Sequence, residues 1–260
     1  MRSPAGRPIG QRRSKRVWPV ALLVLALGVA GCGGDESQTG STTPPTRTQG
    51  EALTSQDAQS LALALFRNYE VGGATLVADV DYSSELSVHM TGDIDWKNHR
   101  GRLEVETIPS DGQPSVAEQV VFDKSEVYTA AQPDQVRQAE VSGRGGVQWV
   151  RRTPDAARPV DQLIALLVSL AATRPENPEL LEQQDLVFDR TAAVGELAVV
   201  VYRSPVAEYW IGEDEGTLLR FVGRLRGFGG EASFTFTDQR SVTIATPDPA
   251  TVIELNQLSP

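Results

Sequence analysis

The chain has 260 residues, of which 40% are hydrophobic and 22% are charged, and its net charge is −10. Six of its 24 Lys and Arg residues lie before position 17, so from Cys32 onward 18 basic residues stand against 34 acidic ones, a net charge of −16. A domain this acidic repels nucleic acid and anionic lipid surfaces, which excludes both as electrostatic partners of the whole domain. With one cysteine, an intramolecular disulfide is excluded as well.

The N-terminus has the layout of an export signal. Its first 16 residues carry six basic side chains and no acidic one, and an apolar run follows at 17–30. This run is shorter than the ~20 apolar residues that a spanning helix needs, and Pro19 and Gly28 interrupt it. We therefore predict that residues 1–31 are a signal peptide and not a permanent membrane span.

The apolar run ends in Val29-Ala30-Gly31-Cys32, which resembles the lipobox of bacterial lipoproteins. In that motif a diacylglycerol thioether forms on the cysteine, and cleavage occurs just before it. An ordinary buried cysteine is the alternative, but the polar, Gly-rich residues that follow offer no core around Cys32. We predict an acyl anchor on Cys32 that attaches the mature protein to the extracytoplasmic face of the cell membrane.

Composition then divides the mature chain in two. Residues 32–50 consist mainly of Gly, Ser, Thr, Gln and Pro, a composition that buries too little apolar surface to order itself, and we predict a flexible tether. Residues 51–260 have the length of one β-rich domain and contain no internal repeat.

The first half of this domain begins with a helix and continues with strands. Thr54 and Asp57 form a capping-box pattern before an apolar stripe at helical spacing. Hydrophobic residues then alternate with polar ones along three segments, which predicts half-buried strands with a hairpin turn at 97–101. Their hydrophobic positions are Leu76, Ala78, Val80, Leu86, Val88, Met90, Ile94, Trp96, Leu103 and Val105.

The sequence of the middle of the domain predicts a loop followed by two helices. Residues 130–157 lack periodicity apart from an apolar patch at 147–150, and we predict a loop. Pro159 and Asp161 signal the start of a helix that is apolar on nearly every side up to Leu170, and Asn177-Pro178 signals a third short helix.

Alternation returns from Leu186 onward and predicts further strands, including one at Val242 and Ile244. Strands, then helices, then strands again indicate the α+β class with a mostly antiparallel sheet. No regular alternation of β and α elements is present, which argues against a doubly wound sheet.

The complete layout resembles a known family. The lipobox, the tether, the element order and a closing series of the type Tyr209-Trp210-Ile211, Gly216-x-Leu218-x-Arg220 and Ile244-x-x-Pro247 are similar to the actinobacterial LppX and LprG group of lipoproteins, which share the LolA-like fold. The resemblance implies a curved antiparallel half-barrel, closed on its concave side by helices. It also implies an apolar cavity that shelters the acyl chains of a lipid or glycolipid.

The apolar central helix is the expected lid of such a cavity. A methylene chain between this helix and the sheet would be stabilised by ~25 cal/mol per Å² of apolar surface buried. The alternative is that the same side chains fill a solid core. The candidate lining residues are Leu163, Leu166, Leu167, Leu170, Leu86, Val88 and Met90.

A search for catalytic constellations identifies none. His89 lies within a strand and His99 in a turn, and neither has metal-ligand spacing. The sequence contains no nucleophile elbow and no phosphate-binding P-loop. We therefore expect a non-enzymatic monomer without metal or cofactor. Two functions remain open: a lipid carrier of the envelope, and a lipid-anchored interaction or regulatory module without a lipid ligand.

Overall fold

The computed structural model describes residues 47–224 and 229–258. The predicted signal peptide, Cys32 and the predicted tether up to residue 46 lie outside these ranges. In the described residues the helices are α1 (Ser55–Val71), α2 (Pro133–Val141), α3 (Pro159–Ser169) and α4 (Pro178–Glu182). The strands are β1 (Gly73–Ser83), β2 (Leu86–Asp95), β3 (Arg100–Pro109), β4 (Val116–Phe122), β5 (Val127–Ala130), β6 (Trp149–Arg152), β7 (Val187–Val194), β8 (Leu197–Arg203), β9 (Ala207–Gly212), β10 (Leu218–Arg224), β11 (Glu231–Thr237) and β12 (Val252–Glu254).

All twelve described strands form one open, curved sheet in the order β12-β6-β5-β4-β3-β2-β1-β11-β10-β9-β8-β7. Every described pairing is antiparallel except the short parallel contact of β12 with β6. The pairing of β1 with β11 joins the first and second halves of the chain at the centre of the sheet. The predicted α+β class, with a curved, mostly antiparallel sheet and helices on its concave face, is confirmed.

Local sequence explains why α1 begins and ends where it does. Thr54 is the N-cap, and its hydroxyl accepts a hydrogen bond from the backbone N–H of Asp57, whose carboxylate accepts one from the backbone N–H of Thr54. Gly72 ends the helix in the left-handed conformation at φ 104°, where a residue with a Cβ would be strained. The predicted capping box is therefore confirmed.

Period-2 alternation decides which side of the sheet meets the helices. Leu76, Ala78 and Val80 of β1 are buried under the helices, whereas Val77 and Asp79 point to the opposite side. We call the first side the helical face and the second the outer face. The helical face, α1 and α3 share the main hydrophobic cluster of the domain.

Trp96, which follows β2 directly, anchors α3 to the sheet. Its side chain is fully buried, and its indole N–H donates to the carbonyl of Leu167 at 3.3 Å. The ring of Phe236 meets it edge-on with 5.2 Å between centroids. An indole needs a hydrogen-bond acceptor when it is buried, and the last turn of α3 supplies one.

The expected strand at Val242 and Ile244 is wrong. Residues 238–248 instead have no regular secondary structure and no β-ladder. Near the start of this segment the N–H of Arg240 donates to the carbonyl of Gly73. Ile244 then packs against Val121 in a small cluster of its own. The alternation of hydrophobic and polar residues at 242–244 therefore reflects side-chain packing against the sheet and not strand pairing.

The expected loop at 130–157 is also incorrect in part. It contains α2, which is mostly polar and buries only Ala139 among its residues, and β6 at the position of the apolar patch. Ala139, Val147 and Val150 form a cluster with Ile253 of β12. So few buried residues give this segment no hydrophobic periodicity, because their packing partners, such as Ile253, lie more than a hundred residues further along the chain.

The helices of the described residues are all too short or too polar to span a membrane.

Candidate functional site

The seven predicted cavity residues lie on or beside the helical face, but most of them are packed. Leu163, Leu167, Leu170, Val88 and Met90 belong to the main cluster and are at most 4% exposed. Leu166 is partly buried against that cluster, and Leu86 is half-buried at the start of β2. None of the five principal cavities of the described residues has any of these seven in its lining.

An apolar crevice lies elsewhere on the helical face, between α1, α4 and the sheet. It has a volume of about 110 Å³, and we call it the α1–α4 crevice. Two polar residues, Glu176 and Gln184, take part in its lining. The rest of the lining is Leu61, Ala64, Leu65, Leu181, Leu186, Tyr209, Ile211 and Leu218.

Backbone hydrogen bonds hold the wall of this crevice in place. The segment between α3 and α4 runs along α1, where the N–H of Ala172 donates to the carbonyl of Leu65 and the N–H of Glu176 to that of Ala62, each at 2.9 Å. Asn177 then caps α4 by accepting from the backbone N–H of Glu179 at 3.0 Å. The segment that forms this side of the crevice is therefore held by two backbone hydrogen bonds and one helix cap.

Asn68 fixes the base of the same region. It is fully buried on α1, and its amide oxygen accepts from the backbone N–H of Leu218 at 3.1 Å. Its amide nitrogen donates to the carbonyl of Leu170 at 3.1 Å. One side chain therefore joins α1, the end of α3 and β10, and a buried amide of this kind is costly to leave unpaired.

The crevice carries little charge. Burial and the nearby Glu176 carboxylate raise the pKa of Tyr209 above its ordinary value of 10, so its phenol stays neutral. The Tyr209 ring meets that of Phe221 edge-on at 5.5 Å between centroids. Glu176 is exposed, so its charge lies toward solvent. A neutral, mostly aliphatic interior suits an apolar ligand.

The two histidines lie apart from the crevice. His89 is on the outer face, with its Nδ1 2.7 Å from a carboxylate oxygen of Asp79. His99 has a positive φ of 51° in the β2–β3 turn, and burial together with the charge of Lys124 lowers its pKa below 6.5. No group of His, Cys, Asp and Glu side chains that could hold a metal occurs within 47–224 and 229–258.

Arg151 and Arg152 both pair with carboxylates, and neither lines the α1–α4 crevice. Arg151 contacts Glu126 and Glu254, and Arg152 binds the buried Asp161 at the start of α3. Their role is structural in the described domain.

The α1–α4 crevice was not predicted from the sequence. The apolar stripe of α1 indicated a buried face through Leu61 and Leu65, but the cavity was expected under α3. A helix that is apolar on nearly every side, as α3 is, gives the stronger sequence signal. Only the packing shows that α3 fills its space, whereas the five-residue α4 leaves a gap.

No protein-family model matches the chain, and no curated protein matches it. Solved structures give weak similarities. An uncharacterized conserved protein from Thermus thermophilus has a TM-score of 0.38 at 14% identity, over 76% of this chain and 98% of that one. MucB has a TM-score of 0.31 at 17% identity over 79% of this chain, which spans 62% of the MucB length. A chain of the Pseudomonas aeruginosa MucA/MucB complex has a TM-score of 0.31 at 16% identity, over 79% of this chain and 60% of that one.

Proposed function

We propose that this protein is a membrane-anchored binding protein of the bacterial cell envelope, with a LolA-like architecture, that accepts an acyl chain of a lipid or glycolipid in the α1–α4 crevice. Attachment to the extracytoplasmic face of the membrane through Cys32 is part of the proposal and is supported by the lipobox resemblance. The proposed role is binding without catalysis.

The observation that carries the proposal is the composition of the crevice. Eight of its ten lining residues are Ala, Leu, Ile or Tyr, and its phenol is neutral. Transfer of a methylene chain from water into such a lining contributes ~0.8 kcal/mol per CH₂. A charged or strongly polar ligand would lose its hydration there without gaining partners.

The size of the crevice requires that α4 move when a chain binds. Its volume of about 110 Å³ is below the ~300 Å³ at the lower end of ligand pockets. The α4 helix has only five residues, and Leu181 is its buried contact. Because Leu61 and Leu218 belong to both the crevice and the main cluster, outward movement of α4 would lengthen the crevice along the helical face.

The alternative is an anchored interaction or regulatory module without a lipid. One observation favours it: the space under α3 is filled by Leu163 and Leu167, which are both fully buried. A domain with a solid core would act through its surface.

Native mass spectrometry separates the two functions. The full chain is produced in a host with membranes, extracted in mild detergent and examined for lipid adducts. We expect an acyl-lipid adduct on the wild type that is lost in Leu181→Trp, because the indole fills the crevice. The matched control is Leu180→Trp on the same helix, where the side chain is 57% exposed and the adduct should persist.

Leu166→Trp tests the position under α3 expected from the sequence, because Leu166 is only partly buried there. Loss of the adduct in Leu166→Trp but not in Leu181→Trp would place the chain under α3 and contradict the α1–α4 crevice. A wild type without any adduct would overturn lipid binding and leave the interaction module. Thermal unfolding of each variant confirms that an adduct is not lost through unfolding.

A further inference from the structure

The outer face of β7–β10 carries a row of side chains set by the strand register. Arg190 of β7 pairs with Val201 of β8, Val201 with Trp210 of β9, and Trp210 with Arg220 of β10. These four residues therefore lie side by side across the sheet, on the side opposite to α1 and α3.

A groove of about 500 Å³ lies along this row and the adjoining β8–β9 turn. Four guanidinium groups line it, those of Arg190, Arg203, Arg220 and Arg224, and we call it the arginine groove. The carboxylates in its lining are Glu208 and Glu231. The lining is thus net positive, whereas the chain from Cys32 onward has a net charge of −16. Such a local reversal of charge attracts an anion to one place on the surface.

Two of the arginines are held by acidic residues below and beside them. Asp189 is 2% exposed and pairs with both Arg190 and Arg203, in the second case at 3.3 Å. Glu208 accepts from Arg190 at 3.1 Å. These pairs fix the two guanidinium groups at one end of the groove, so that less side-chain entropy remains to be lost on binding.

Trp210 orients the row. The guanidinium carbons of Arg190 and Arg220 each lie 5.0 Å from the centre of its ring, and its indole N–H donates to Glu208 at 3.1 Å. Stacking on an aromatic face leaves the N–H edges of a guanidinium group available for a ligand.

Arg220 and Arg224 have unused donors. In the part of the chain that the structure describes, neither forms an ion pair with a carboxylate. Arg220 donates from Nε to the hydroxyl of Ser233 at 3.2 Å, which leaves its two terminal nitrogens, and Arg224 is exposed. The positive charge at this end of the groove is therefore available to an external anion.

We propose that the arginine groove binds a phosphate-bearing ligand. A carboxylate has two oxygens, which one bidentate guanidinium satisfies. A phosphate group is tetrahedral and presents its terminal oxygens, three in a monoester and two in a diester beside its ester oxygens, to donors from several directions. This geometry matches guanidinium groups on β8 and β10. The ligand would be either the head group of an anionic phospholipid or a soluble phosphorylated compound. This site is independent of the α1–α4 crevice, because it lies on the other side of the sheet.

Isothermal titration of the full, detergent-purified chain tests the proposal with four probes: inorganic phosphate, glycerol 3-phosphate, dihexanoyl phosphatidylglycerol and acetate. We expect a phosphate probe to bind at least about tenfold more tightly than acetate. Tighter binding of phosphatidylglycerol than of glycerol 3-phosphate would identify a head group as the source, and the reverse order a soluble compound.

The double variant Arg220→Gln with Arg224→Gln should weaken that binding about tenfold or more, because it removes the free charge-assisted donors. The matched control is Arg102→Gln with Arg137→Gln, which removes the same charge at exposed positions outside the groove and should leave the affinity within about twofold. Equal weakening by both double variants would show a general charge effect and overturn the site. So would tighter binding of acetate, or no phosphate binding up to about 10 mM, a range that still detects weak millimolar binding.

Discussion

Asp57 connects three parts of the chain that are distant in sequence. Its carboxylate caps α1 through Thr54, accepts from the hydroxyl of the buried Tyr202 on β8 at 2.8 Å, and accepts from Arg47 at 2.8 Å. Arg47 also stacks on the ring of Phe188, 4.1 Å from its centre. Residues 47–50, at the C-terminal end of the predicted tether, thus contact the domain.

The surroundings of Asp57 lower the pKa of its carboxyl. Burial alone raises the pKa of its carboxyl, but hydrogen bonds from Thr54, Arg47 and Tyr202 favour the charged form more strongly, so the pKa lies below its ordinary value of 3.8. The charged carboxylate therefore stabilises the folded state above the unfolded pKa, and this contribution is lost as the pH falls from about 5 through the folded pKa.

We predict that Asp57→Asn lowers the free energy of unfolding at pH 7 by about 1–3 kcal/mol, because the charged acceptor of four hydrogen bonds is removed. The loss relative to the wild type should shrink between about pH 5 and pH 3. Urea unfolding at a series of pH values measures both effects. The pKa values of Asp123 and Asp189 are also lowered, but both carboxyls keep their partners in either protein and cancel in the difference. Glu51, whose pKa is lowered as well, is the carboxyl that shares Arg47 with Asp57.

Tyr202→Phe provides the control for this prediction. It removes only the phenol donor and should reproduce part of the loss at pH 7. A difference between wild type and Asp57→Asn that does not change with pH would contradict the assignment.

At the scale of elements, α3 is fixed at both ends. Trp96 donates to the carbonyl of Leu167 near its C-terminus. At its N-terminus, Asp161 accepts two hydrogen bonds from Arg152 of β6, at 2.5 and 2.7 Å, and one from the backbone N–H of Asp155 at 2.7 Å. Both charged side chains are mostly buried, at 11% and 2% exposed, so the pair is a rigid bridge between helix and sheet.

We predict that Arg152→Ala lowers the free energy of unfolding by about 3–5 kcal/mol, since Asp161 then remains buried without its partner. The double variant Arg152→Leu with Asp161→Leu should be less destabilised than either single leucine variant, because no unpaired charge remains. A double-mutant cycle in urea measures the coupling. Additive losses would show that the two side chains do not depend on each other.

The elements that were predicted well have signals within a few residues. The α1, α3 and α4 helices begin at a cap or at a proline in the first turn, and the central strands alternate over ten residues or so. The elements that were missed, α2, β6 and β12, are short and bury few side chains, and they are stabilised by contacts across more than a hundred residues. The spacing of hydrophobic residues within a short segment does not predict such contacts.

At the scale of the molecule, the sheet joins distant parts of the chain at its centre. Thr75 of β1 pairs with Thr237 of β11, and Val80 pairs with Ala232. The two edge strands of the sheet are β7 and β12, of which β12 has only three residues. Since one main cluster spans the sheet from β5 to β8, residues 51–260 should unfold as one cooperative unit.

We predict that amide hydrogen exchange is slowest in β1, β2 and β11 and that it becomes faster toward β12 and β7. Opening of the central strands requires global unfolding, whereas an edge strand can open alone. Exchange measured by mass spectrometry on peptic fragments tests this order. Two groups of strands with separate, independent global rates would indicate two folding units.

The sequence by itself determined the α+β class, the sheet periodicity, the N-termini of α1, α3 and α4, and the prediction of an anchor at Cys32, because each depends on residues that are neighbours along the chain. Only the tertiary structure decided which space is filled and which is open. It packed Leu163 and Leu167 into the core, left the crevice beside α4, and brought four arginines together from three strands. Such arrangements depend on volumes and register between distant segments, which hydrophobic patterning leaves undetermined.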